Sequence, residues 1–261
     1  MELLRATTIL FATHLRRIAF SKRTLTCLAL CLVPVLAAAM VVRVVEMHGE
    51  STPALEIGWG LVVMVIVPIV SLVIGSAVVA EEVDDRTITY LFTRPIPRMA
   101  VLLGRWAASL VVIVVLLLSS SELVFLILDR GAATNQEMVL PAGMLGGLRM
   151  VIVIGAVIYS ALFTAIGTLI KHPMVVGLGY TFVYEDFISS LPNESQSITV
   201  QYYLKSWLAG QSEEIAHRMR HIALEDPVSS GEALGTLAIV LAIALAVGCW
   251  TVSRKQYVLS S

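Results

Sequence analysis

The sequence predicts an all-α integral membrane protein, and three observations carry that reading. Hydrophobic residues fill 57% of the 261 positions and charged residues 14%, where a soluble domain carries about 25% charged. The mean hydropathy is +0.87. The apolar residues gather into separate windows, each near the roughly 20 residues a helix needs to cross a ~30 Å hydrocarbon core. This composition excludes a soluble enzyme, a disordered chain and a secreted disulfide scaffold. A net charge of −1 gives no field to recruit nucleic acid. Cys27, Cys31 and Cys249 lie inside apolar runs, too scattered for a disulfide framework or a zinc site.

Residues 2–20 read as an amphipathic surface helix. Leu4, Phe11, Leu15 and Ile18 recur at helical spacing, with Arg5, His14, Arg16 and Arg17 on other faces, so the cations can meet anionic headgroups. Six spans are predicted after it, over about 24–45, 57–80, 99–128, 149–170, 172–189 and 232–253. The third is interrupted only by Arg105 near one end and Glu122 near the other, from which long side chains reach the interface. The fifth is the weakest: Pro173 opens it and Glu185-Asp186 stand late in the run. A carboxylate at mid-bilayer costs about 2.5–3.5 kcal/mol on the insertion scale. Glu185, Asp186 and Glu122 are therefore read either as interfacial groups or as polar residues of a translocation path.

Lys and Arg fall on the inner side by two to one if six spans start from a cytoplasmic N-terminus. That bias orients the first four spans and leaves five against six open. With six, both termini are cytoplasmic. Arg16-Arg17 and Ala37-Ala38-Ala39 imitate secretion signals, but the apolar run continues past the alanines far enough to span, so the segment is read as retained. Asn193-Glu194-Ser195 matches a glycosylation sequon too short to carry weight.

The connecting segments are more specific. In the loop 81–98, Glu81, Glu82, Asp84 and Asp85 crowd the end of the second span. Ile88, Leu91 and Phe92 then share one face of a short helix, which Pro95 and Pro97 stop. By pattern alone this is either a stiff transverse helix or an ordinary polar hairpin. In the long loop 191–231, Tyr202, Tyr203 and Trp207 suit an interface. A helix over 212–226 would place Ile215, Met219 and Ile222 on one side and Glu213, His217, His221 and Glu225 on another. That row is read as Glu–His pairing on a wet face rather than a metal site. Ser71/Gly75 and Ala161/Ala165 offer close helix approach, whereas Gly143/Gly147 falls outside the hydrocarbon and is read as a chance match. The sequence carries no phosphate loop and no hydrolase signature, so energy must come from a partner or an ion gradient.

The loop 81–98 resembles the signature of the ABC-2 class of ABC-transporter permeases. The matching residues are Glu82, Asp84 and Asp85, then Thr87, Ile88 and Leu91, then Thr93, Arg94, Pro95, Ile96 and Arg98, and finally Gly104 and Arg105; Arg86 stands where the family has glycine. The resemblance implies a non-catalytic permease subunit that pairs with itself or a sister chain and with cytoplasmic ABC ATPase subunits that bind the ATP. It implies that the loop is a coupling helix, with Phe92 among its apolar contacts, and that the chain before the last span dips into the outer leaflet. It favours six spans, in a bacterial or archaeal plasma or inner membrane. The competing reading is an ion- or proton-coupled carrier or channel using Glu185 and Asp186; a third is a membrane anchor that only assembles partners.

Overall fold

A computed structural model describes residues 11, 13–48, 57–78, 98–132, 143–187, 194–220 and 227–254. Every regular element among the described residues is helical. The predicted coupling residues Glu82 to Pro95 lie outside the described residues, as do His221 and Glu225.

Helix α1 (13–19) meets α2 (Lys22–His48) at a tight turn. The Ser21 hydroxyl accepts from the Thr24 amide at 3.2 Å, the hydrogen bond of an N-cap. The Thr24 hydroxyl donates to the Ile18 carbonyl at 2.6 Å, closing the corner. In α1, Ile18 is buried while Arg16 and Arg17 are exposed, as the amphipathic pattern requires. His14 departs from the expectation: it is buried, because it stands one turn before Ile18 and shares its face.

Helix α3 is wound with wide π turns over Ile57–Ile66 and regular turns over Val67–Gly75. The change comes at Pro68, which cannot donate to the preceding turn and crowds its carbonyl, so the helix widens before it. Next come α4 (Arg98–Ala132), α5 (Met144–Leu169) and α6 (Pro173–Gly179, prolonged by π turns over Tyr180–Phe187). A 3-10 turn (Glu194–Ile198) leads to α7 (Val200–Ala209), α8 (Glu213–Arg220) and α9 (Ser230–Arg254).

Four of these, α2, α4, α5 and α9, are long and apolar enough to cross a membrane. They occupy the predicted windows 24–45, 99–128, 149–170 and 232–253. In α4, Arg105 and Glu122 are separated by roughly 25 Å at 1.5 Å per residue, so both can sit near the edges of one hydrocarbon core. The windows 57–80 and 172–189 hold the shorter, irregular α3 and α6.

Helix α5 is the hub. Within its apolar window 67% of residues are buried inside the protein, against 22–39% in the other long helices. Helices α3, α4 and α9 all pack on it. Small residues set the spacing. The Thr164 hydroxyl donates to the Gly75 carbonyl at 3.2 Å, and a Cβ on Gly167 would stand 2.7 Å from the Ser76 carbonyl oxygen. Backbone cannot yield as a side chain can, so α3 and α5 approach this closely only through glycine. On the α9 side, Ala161, Ala165 and Ala244 form one cluster and Gly248 faces Ala165. The small pairs read from the sequence thus lie in helix contacts. At Gly143/Gly147, Gly143 precedes α5 at φ +81° and Gly147 is a notch where a Cβ would come 2.5 Å from Leu208. Gly147 alone seats α7; nothing stands within 4 Å of a Cβ on Gly143, so the two do not act as a packing pair.

Candidate functional site

The polar site predicted around Glu185 is built from the winding of α6. Pro173, Gly177, Thr181 and Glu185 recur every four residues and are all buried, while Met174, Val175, Leu178, Phe182 and Val183 are exposed. Helix α6 therefore presses one narrow, mostly small seam into the protein and turns its apolar remainder outward. Gly177 leaves room for Leu72 of α3, and the Thr181 hydroxyl is satisfied by the Gly177 carbonyl at 2.9 Å. Glu185 continues the seam. Only 1% of it is exposed, so it lies inside the protein and not at a water interface.

Its carboxylate is held by three donors. The Tyr180 hydroxyl donates to Oε1 at 2.6 Å, the Val200 amide to Oε1 at 3.1 Å and the Gln201 amide to Oε2 at 3.1 Å. The two amides open α7, and the third, Tyr202, donates to the Thr199 hydroxyl at 3.3 Å. The first three amides of α7 thus have partners, two of them the oxygens of the Glu185 carboxyl group. Leu204 packs at Gly155 and Leu208 at Gly147, so α7 runs antiparallel to α5 with its first turn toward the middle of α5. Those two notches are eight residues apart, about 12 Å along α5.

Neighbouring side chains fix the arrangement. Tyr180 stacks on Tyr184 at 5.1 Å between ring centroids and meets Phe163 of α5 edge-on at 6.0 Å. The Gln201 amide donates to the Val63 carbonyl at 3.3 Å, in the wide turns of α3. Tyr159 of α5 is buried beside the same carboxyl group. The sequence reading missed Tyr180, Thr199 and Gln201. The four-residue repeat of Pro173, Gly177 and Thr181 was the signal that Glu185 faces inward.

The remaining predicted residues are dispersed. Glu122 is not in this junction: Arg149 Nη2 donates to its Oε2 at 2.8 Å and Nε to its Oε1, a bidentate pair with side chains 45% and 49% exposed. Such an exposed pair is worth about 0–1 kcal/mol. Asp186 falls within Tyr180–Phe187, and its side chain is outside the described residues. Arg98 opens α4, and its Nη1 donates to the Ser253 carbonyl at 3.5 Å, bracing the last turn of α9. Glu213 and His217 are exposed on α8, while Ile215 is buried. Tyr202 is buried and Tyr203 and Trp207 half-buried, packed on the core.

At the other end of α5, His14 sits near Arg105. Burial, then the cations of Arg105 and Arg17, hold its pKa at about 4, against 6.5 for a free imidazole. The fold therefore keeps His14 neutral, while the unfolded chain takes up a proton below pH ~6.5. The stability tied to neutral His14 is complete above that pH and is lost as pH falls toward 4. The thermal midpoint of the purified protein should drop between pH 7 and pH 5, and His14→Gln should flatten that drop. An equally steep drop in the variant would assign it to other groups.

The model of the ABC-2 family transporter protein matches residues 19–187, about two thirds of the chain. The chain belongs to the ABC-2 transporter family. The match runs from the start of α2 through α6, and so takes in the loop 81–98 and Glu185; α7, α8 and α9 lie beyond it. This ABC-2 protein is a multi-pass membrane protein, and its family implies a transport role in an ABC system. No curated protein and no solved structure matches the chain.

Proposed function

We propose that this ABC-2 protein is the membrane-spanning, non-catalytic permease subunit of an ATP-driven exporter. It works as a dimer with itself or a sister permease, and separate cytoplasmic ATPase subunits drive it through the loop 81–98. The observation that carries the reading is the family match across residues 19–187, with the loop motif inside it. Residues 1–261 carry no phosphate loop, in keeping with ATP bound by separate subunits.

In this reading the chain crosses the membrane six times. Helices α2, α3, α4, α5 and α9 make five crossings. The remaining one is shared: α6 rises from the inner side, and α7, dipping back beside α5, completes the passage to the outer leaflet. A broken crossing leaves a helix N-terminus within the protein, and Glu185 satisfies it. Both termini are cytoplasmic, in a bacterial or archaeal plasma or inner membrane.

The ion-coupled alternative would need Glu185 to exchange a proton or cation. Three short donors to its carboxylate argue instead for a fixed anchor that joins α6 to α7. Mechanically, closure of the ATPase dimer would push the segment between Asp85 and Pro95, and through it α3 and α4. The close α3–α5 contact at Gly75 and Gly167 would pass that displacement to the hub. Co-expression with an ATPase from an adjacent reading frame that carries a phosphate loop tests the reading. A stable complex that hydrolyses ATP is the expected result. Cargo movement by the lone chain on an ion gradient would contradict it.

A further inference from the structure

The geometry points to a binding site for the phosphate headgroup of an anionic phospholipid, in the cleft where the start of α2, the end of α3 and the bend between α5 and α6 converge. The cleft has a volume of about 450 Å³, within the ~300–1,000 Å³ typical of ligand sites. Its polar lining comes from three separate elements: Arg23 and Thr26, Ser76, and Lys171 with His172. No carboxylate lines it among the described residues. The Arg23, Lys171 and His172 side chains supply the N–H donors that match a phosphodiester, which offers charge and several acceptor oxygens, while the Thr26 and Ser76 hydroxyls donate to the Lys22 carbonyl at 3.0 Å and the Met174 sulfur at 3.6 Å.

A second feature separates a lipid from a soluble anion. Met174 and Val175 line the cleft and are exposed, and Leu178, one turn above Met174, is exposed too. On α2, Val33 stands two turns above Thr26 on the same helix face and is exposed too. An apolar lane therefore leads from the basic cleft along α6 and α2, where an acyl chain can follow its headgroup. A basic pocket between membrane helices, beside the charge-rich end of the bundle, is the arrangement by which anionic headgroups are recognised.

The occupant would touch α2, α3 and the α5–α6 bend together. Ser76 is also the residue whose carbonyl abuts Gly167. A bound lipid would thus brace the end of α3 from which the loop 81–98 departs.

The full-length protein in nanodiscs of phosphatidylcholine, with or without phosphatidylglycerol, provides the test, reading lipids retained per chain by native mass spectrometry and the thermal midpoint. Wild type should retain phosphatidylglycerol and melt higher in its presence. Lys171→Gln should lower that retention about fivefold, the worth of one basic contact at a membrane surface, and Lys171→Arg should restore it. Arg254→Gln removes an exposed cation at the end of α9, outside the cleft lining, and should leave retention unchanged. An equal loss in Arg254→Gln would mean general surface charge and overturn the site. So would the same rise in midpoint from inorganic phosphate in phosphatidylcholine alone, which would mean a soluble anion. Absence of any phosphatidylglycerol preference in wild type would overturn it as well.

Discussion

Leu91→Asp is expected to abolish recovery of the ATPase with the permease, while Arg98→Ala leaves most of it. Burying a leucine side chain in a partner groove stabilises a complex by about 1.5–3 kcal/mol. An unpaired carboxylate in the same groove adds a further desolvation cost of several kcal/mol. Together these weaken the complex by more than roughly a hundredfold, at 1.4 kcal/mol per factor of ten. Arg98 differs because its guanidinium reaches the Ser253 carbonyl at 3.5 Å in an exposed position. Its loss removes one solvent-accessible hydrogen bond, worth on the order of 1 kcal/mol, and acts on the end of α9 rather than on docking. Quantitative co-purification from membranes, normalised to permease, separates the two. Equal ATPase recovery with wild type and Leu91→Asp would remove the loop from the docking surface.

Glu185→Ala is expected to have the largest effect on stability. It strands the Val200 and Gln201 amides and the Tyr180 hydroxyl inside the protein, where each buried unsatisfied donor costs about 1–3 kcal/mol. A loss on the order of 4 kcal/mol follows, enough to free α7 from α6. Glu185→Gln should be milder. Its carbonyl oxygen can still accept from Tyr180 and Val200, and only Gln201 then meets an amide donor instead of an acceptor. Thermal unfolding in detergent should rank wild type above Glu185→Gln and Glu185→Ala last. If both variants melt like wild type yet stop transport, the carboxylate takes part in ion movement and is not an anchor.

Much of the architecture was legible because membrane insertion imposes a length on each helix. The windows around α2, α4, α5 and α9 need only a run of apolar residues, and composition records that directly. Helices α3 and α6 were harder to describe, since their π turns depend on how Pro68 and the Tyr180–Phe187 segment meet their neighbours. The small pairs Ser71/Gly75 and Ala161/Ala165 were readable as contact points, but a four-residue spacing does not name the partner helix. Gly147 was dismissed because it lies outside the hydrocarbon, and its role became visible only with Leu208 opposite it.

The polar residues were the least legible. Glu185 and Glu122 look alike in the sequence, each a carboxylate late in an apolar run. One is buried against α7 and the other is paired with Arg149 in the open. Their difference lies in residues 15 to 27 positions away, Val200, Gln201 and Arg149, which no local pattern connects to them. His14 was misplaced for a related reason: its polarity suggested solvent, while its register with Ile18 put it inside.

The central claim is that an ATPase grips the segment around Leu91 from the cytoplasm. Site-specific photo-crosslinking tests it most directly, with a photoreactive residue placed singly at 88, 91 or 92 and, for comparison, at Arg43 and Arg130. Adducts with the ATPase are expected from 88, 91 and 92, altered in yield by ATP, and none from Arg43 or Arg130. Adducts absent from all three loop positions, or those positions labelled by an impermeant reagent added outside intact cells, would contradict it.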